Sequence, residues 1–201
     1  MDLYIIGAGN IGGFISYHAE DMGGTVTDGF VVKGFLDDDV SKHGSLYCGF
    51  PVLGLPELLI DNDWLDGRKV AVAVAVARPK TKQMIVKRLR QNPMLRFPAF
   101  IHPRAWLGKH VVVGEGSIIY PGVCINFESV LGSFVTVNMN SVVGHNCQIG
   151  DYTTLSPGVL CGGCTLIEPI CFMGIGSRTH QNMTIPQGTT IPSNTTVSKR
   201  N

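Results

Sequence analysis

Two arrangements of apolar and polar residues divide the chain near Ile101. Before that point, short apolar runs alternate with longer stretches in which apolar residues recur every three or four positions. Residues 3–6, 30–36 and 70–76 read as buried strands, residues 10–22 and 81–90 as helices, and 97–101 as a closing strand. Strands that alternate with helices pair in parallel, so residues 1–100 are expected to form a small α/β domain around a mostly parallel sheet.

From Ile101 onward the period is six. One column runs from Ile101 through Leu107, Val113 and Ile119 to Val197, and only Thr179 breaks its apolar character. Two positions earlier, in the repeats from Ala105 to Val159, stands a small or β-branched residue, as at Ser117, Val123, Ser129, Val135 and Ser141. The residue after the column is often Gly or Asn (Gly114, Asn126, Gly144, Gly162), types that tolerate turn geometry, including positive φ. Side chains two apart on a strand point the same way, so both columns face inward. A short strand, a corner and another short strand then repeat and stack at about 4.8 Å, which predicts a β-solenoid over residues 101–201.

Composition narrows the function. The chain has 201 residues, 44% of them hydrophobic, which supplies a core and excludes a disordered polymer. A formal net charge of +1, with 15% charged residues and no basic cluster, excludes a nucleic-acid face. No apolar run approaches the roughly 20 residues that span a bilayer, and Met1-Asp2-Leu3 leads straight into a strand. A cytoplasmic protein with no membrane anchor is expected, its six cysteines reduced. Cys161 and Cys164 have CxxC spacing but no second pair, and read as packing residues.

Two places carry candidate chemistry. Gly7-Ala8-Gly9-Asn10-Ile11-Gly12 follows a strand and opens a helix, the setting of a GxGxxG loop whose backbone amides approach a phosphate. Asp37 and Asp38 end the second strand, where a ribose or base could be read, so the first domain is Rossmann-like. This loop fits a nucleotide-sugar site, a dinucleotide oxidoreductase, or a turn that merely packs helix on strand. The second place is His145, two residues past the inward Val143 and so on an outward corner. By residues alone it is either a surface histidine without a task or a general base, since imidazole titrates near neutral pH. His102, His110 and His180 lack metal-like spacing, and one coil on from His145 stands Gly163, so no metal site is expected.

The segments YIIGAGNIG, GFLDDD, PVLG, AVAVA, FIHPRAWLG and VGHNCQIGDYTTLSPGVLCGG, in this order, resemble bacterial hexapeptide-repeat sugar acyltransferases of the sialic acid O-acetyltransferase and UDP-4-amino-sugar N-acetyltransferase family. The resemblance implies a left-handed parallel β-helix that binds acetyl-CoA, and a homotrimer with its active sites at subunit interfaces. It implies that the small domain holds a nucleotide-linked amino or hydroxyl sugar, UDP- or dTDP-bound, through Gly7, Gly9, Asn10, Ile11, Gly12, Asp37 and Asp38. It makes His145 the general base, Asn146 the residue that holds its ring, and the Gly163 amide the oxyanion donor. Gly163 and Thr154 would adjoin the acyl donor.

The chain departs from this pattern at four places. Asn146 replaces the usual Asp or Glu, Thr154 a second histidine, and Ile11 a histidine of the first loop. The end of the chain lacks the usual Gly-x-Pro-Ala-Lys segment, leaving Lys199 and Arg200 as its basic residues. These departures keep open a non-catalytic nucleotide-sugar-binding homologue, beside the NAD-dependent oxidoreductase that the glycine loop admits.

Overall fold

The computed structural model describes residues 1–19, 21–22, 29–61 and 63–198. The chain forms two compact units, one of Met1–Ala77 with Thr81–Phe100 and one of Arg78–Lys80 with Ile101–Asn201. Among the described residues no helix is long and apolar enough to cross a membrane.

The first unit is built on β1 (Asp2–Ile6), β2 (Val31–Leu36), β3 (Leu46–Tyr47), β4 (Phe50–Gly54), β5 (Val70–Val74) and β6 (Leu95–Arg96), with helix α1 (Asn10–His18) and, from Thr81 on, helix α2 (Pro79–Leu89). The sheet order is β3-β4-β2-β1-β5-β6. All its pairings are parallel except the β3–β4 hairpin. All five residues of β5 are buried, as a central strand covered on both faces requires.

Several boundaries differ from the sequence pattern: β5 ends at Val74, short of the expected 76, α2 runs Pro79–Leu89 where 81–90 is expected, and two further differences have clear physical reasons. The first helix stops at His18, whose carbonyl accepts turn bonds from Asp21 and Met22, so the expected span of 10–22 is too long. Residues 97–101 do not form one closing strand. Pro98 has no N–H to continue a ladder, so β6 ends at Arg96 against β5, and Phe100–Ile101 instead begins a face of the solenoid.

The second unit is a parallel β-helix of three sheets, and within each sheet neighbouring strands lie 18 residues apart, as Val143 and Cys161 do. Both expected columns face inward: Ile119, Ile125, Leu131, Val137, Val143, Ile149 and Leu155 are buried, as are Ser117, Val123, Ser129, Val135 and Ser141. The buried hydroxyls join coils together. Ser129 Oγ donates to the Gly144 carbonyl (2.7 Å) and accepts from the Cys147 amide (3.0 Å), and Ser141 treats Ser156 and Val159 in the same way. These two hydroxyls are therefore satisfied and occupy corner groups that the strand ladders leave unpaired, whereas Ser177 Oγ in the same column is buried without a partner among the described residues.

The corner glycines serve a purpose other than turn geometry. Gly144, Gly150 and Gly162 lie outside the positive-φ region, but a Cβ on each would strike the backbone of the next coil, at 2.7 Å from the Gly163 nitrogen in the case of Gly144. Positive φ falls two residues later, at Glu128, Phe134, Asn140, Asn146, Tyr152, Cys164 and Ile170, with values of 55° to 64°. Space, not dihedral freedom, selects glycine after the column.

Candidate active site

His145 stands on the corner between strands Val142–Val143 and Gln148–Ile149. Val143 and Cys147 point inward and are fully buried, which turns the intervening side chains outward. Gly144 lets the next coil come close. The backbone is clamped on both sides: the His145 carbonyl accepts from the Cys164 amide (2.8 Å), and the Asn146 amide donates to the Phe127 carbonyl (3.1 Å). The imidazole is thus fixed by coils above and below it.

Three contacts orient the ring. Phe127, one coil earlier, stacks on it with centroids 5.6 Å apart and planes 12° from parallel. Nδ1 lies 2.9 Å from Asn146 Oδ1, and Asn146 Nδ2 donates to Glu128 Oε2 at 2.7 Å. On the other side Nε2 faces Gly163, where a Cβ would collide with it. Gly163 has no positive φ to explain its identity, so the requirement for glycine here is the seat it makes for the histidine. Its carbonyl accepts from Asn182 (2.9 Å), whereas its amide meets no acceptor among the described residues. A half-buried imidazole and a half-buried glycine whose N–H is unpaired among the described residues therefore adjoin on one ridge.

Below the histidine the same ridge opens into a cavity of about 390 Å³ lined by Trp106, Lys109, His110, Asn126, Phe127 and Glu128, among others. Phe127 and Glu128 belong to both features. Neither emerges from reading residues adjacent to His145, although Phe127 lies 18 residues before His145 and Glu128 18 residues before Asn146. Thr154 is not brought to this corner. It is buried on the sheet that contains Phe100–Ile101, and His145 joins the other two sheets. The CxxC cysteines part: Cys161 faces the core, where burial pushes its thiol up to about 12, and Cys164 is exposed. Lys199 and Arg200 lie outside the described residues.

In the α/β unit the glycine loop joins β1 to α1 at the carboxyl ends of the parallel strands. Its glycines differ in purpose. Gly7 has φ +102° and its Cβ would lie 3.0 Å from the Ala75 carbonyl oxygen; a Cβ on Gly12 would collide with the Gly7 carbonyl oxygen. Gly9, which precedes the helix in extended conformation, has nothing within 4 Å of its missing Cβ and no capping side chain. Asn10 is exposed and Ile11 half-buried.

Asp37 is occupied by its own fold. Its Oδ2 accepts from the Ala8 amide (2.8 Å) and Lys42 Nζ (3.0 Å), and its Oδ1 from the Asp39 amide (2.9 Å). Burial works to raise its carboxyl, but the bonds from Asp39, Lys42 and Ala8 outweigh it and hold it below the usual carboxylate range. Asp38 beside it is exposed. Lys42 and His43, the latter 2.8 Å from the Asp37 carbonyl oxygen, join this cluster. His43 also borders a cavity of about 490 Å³ with Val40, Leu53, Leu55 and Leu58.

Known proteins resemble both units. The bacterial transferase hexapeptide (six repeats) family matches residues 128–163, the stretch that holds His145 and Gly163. GDP-perosamine N-acetyltransferase of Escherichia coli O157:H7 is 33% identical over 150 residues, 74% of this chain and 64% of that protein, so the chain spans less than two thirds of that relative's length. The acetyltransferase domain of PglB from Neisseria gonorrhoeae FA1090 superposes with a TM-score of 0.83 at 28% identity, covering 98% of this chain and 91% of that one. PerB from Caulobacter crescentus, solved in complex with CoA and GDP-perosamine, gives a TM-score of 0.84 at 25% identity over 98% and 89%. The chain thus carries the bacterial transferase hexapeptide repeat over residues 128–163 and is similar in the fold of its units to the PglB and PerB acetyltransferases.

Proposed function

We propose that this chain transfers an acetyl group from acetyl-CoA to the amino group of a nucleotide-linked sugar. The observation that carries the reading is that His145 Nε2 faces Gly163, whose amide is unpaired among the described residues. His145 would take the proton from the amine as its nitrogen attacks the thioester carbonyl. Gly163 N–H would donate to the oxygen that gains negative charge. Collapse breaks the carbon–sulfur bond, and the imidazolium returns the proton to the leaving sulfur. Asn146 keeps the ring in place throughout, and no acyl-enzyme on cysteine is involved.

The acceptor's nucleotide is assigned to the α/β unit. Gly9 with the exposed Asn10 and Asp38 offers the open backbone and polar groups for it; Gly7, Ile11 and Gly12 shape the loop, and Asp37 braces it. A homotrimer is proposed as the working form. Exposed apolar residues on two outward faces, Trp106, Val142 and Leu160 on one and Val112, Val130 and Leu166 on the other, support it. PerB, solved with CoA and GDP-perosamine, supports the donor and the acceptor class, and the name of the Escherichia coli relative supports the acceptor class. The reaction is assigned to the cytoplasm, where acetyl-CoA is made.

The test is mass spectrometry of UDP-, dTDP- and GDP-linked amino sugars incubated with the protein and acetyl-CoA. One acceptor is expected to gain an acetyl group with the wild-type chain and not with His145→Ala. Binding of a nucleotide sugar without acetylation of any acceptor would overturn the reading in favour of a non-catalytic binding protein.

A further inference from the structure

The residue beside His145 is an asparagine, which carries no charge to support an imidazolium. The neighbouring coil supplies one. Glu128, 18 residues earlier, occupies the same corner position as Asn146, and both adopt the same left-handed backbone, φ 57° and 55°. Their side chains meet at 2.7 Å.

That contact fixes three orientations in sequence. A carboxylate only accepts hydrogen bonds, so the Asn146 group that faces Glu128 is its NH₂. The Asn146 oxygen must then face the ring, 2.9 Å from Nδ1. An amide oxygen also only accepts, so Nδ1 must carry the proton, which leaves Nε2, on the Gly163 side, with the free lone pair.

We propose that Glu128 is a positioning residue for His145, acting through the Asn146 amide: it selects the Nδ1–H tautomer and places a negative charge at the far end of a two-bond relay. This rests on the reading of His145 as the general base. Asn146 is then a spacer between base and carboxylate, and the carboxylate belongs to the previous coil. Phe127, carried by the same coil, supports the ring by stacking, so one coil both supports and orients it.

The first test does not need turnover. Long-range ¹H–¹⁵N correlation spectra of the full-length protein, with the His145 signals assigned by His145→Ala, report which ring nitrogen is protonated in the neutral form. A single Nδ1–H form is expected for the wild type. Glu128→Gln keeps the length of the side chain and suits the same backbone, but its amide can accept or donate, so it no longer dictates the Asn146 orientation. A mixture of tautomers is expected there. In the double variant E128Q/N146D, an acceptor-only carboxylate again faces Nδ1, and the single form should return. An Nε2–H form in the wild type, or an unchanged spectrum in Glu128→Gln, would overturn the proposal.

Kinetics separates positioning from simple structure. Glu128→Gln should lower kcat by about tenfold, the lower end of the usual cost when a group orienting a working histidine is lost, with KM for acetyl-CoA unchanged. The double variant should recover most of that loss. If His145→Ala abolishes transfer while Glu128→Gln leaves kcat at the wild-type level, the relay is wrong and the base assignment stands. If the spectra show the relay while His145→Ala acetylates at the wild-type rate, the base assignment fails and the orientation of the ring stands.

Discussion

The glycine loop of the α/β unit and the His145 corner of the solenoid solve the same problem in different ways. In the proposed function, each presents polar groups to a ligand from a turn. In the loop, the residues that look functional also hold the fold: Gly12 leaves room for the Gly7 carbonyl, and Asp37 ties the loop amide of Ala8 to Lys42. In the solenoid, two inward columns and their stitched hydroxyls hold the coil, and the outward ridge is released from that duty. A residue on the ridge should therefore alter chemistry with little effect on stability. One in the loop should alter both.

Several substitutions test this division, in order of expected size. Leu155→Ala removes a fully buried side chain from the column between Val137 and Met173, and should cost about 2–5 kcal/mol in unfolding free energy by urea denaturation. Gly12→Ala should cost about 1–3 kcal/mol through the forced shift of the Gly7 carbonyl, even though alanine favours a helix.

Asp37→Asn should cost about 1–2 kcal/mol at pH 7, since it removes a charged acceptor from three bonds. The sign of its pH dependence follows from a carboxyl held below its ordinary 3.8. The stabilisation is complete above that value and is lost as the pH falls through the lower folded value. Denaturation curves of wild type and variant should therefore converge in acid; a constant gap would contradict the bracing role. Gly9→Ala, with open space at its Cβ, should change stability by less than about 0.5 kcal/mol and raise KM for the nucleotide sugar. An unchanged KM would remove Gly9 from the acceptor site.

Legibility in the sequence followed the same division. The inward columns could be read because burial imposes a strict period, and even the break at Thr179 is a buried residue whose hydroxyl bonds the Gly162 amide. The β3–β4 hairpin could not be read. Its two turn residues, Cys48 and Gly49, both have positive φ (49° and 82°), and a cysteine does not announce a turn as asparagine would. The Gly163 position was legible from the coil repeat, but the reason for glycine was not. Only the structure shows that the His145 ring occupies the missing side chain's place. Glu128 stayed hidden because neighbours in a solenoid are 18 residues apart, and adjacent-residue reasoning leaves Asn146 as the sole partner of the ring.

The measurement that bears most directly on the account is a paired one on His145→Ala: the rate of acetyl transfer from acetyl-CoA to an amino-sugar nucleotide, and the unfolding free energy of the same sample. The account predicts a rate lower by about 100-fold or more, with stability within about 0.5 kcal/mol of the wild type. A wild-type rate would contradict the assignment of the base, and a large loss of stability would contradict the separation of fold from chemistry on the solenoid ridge.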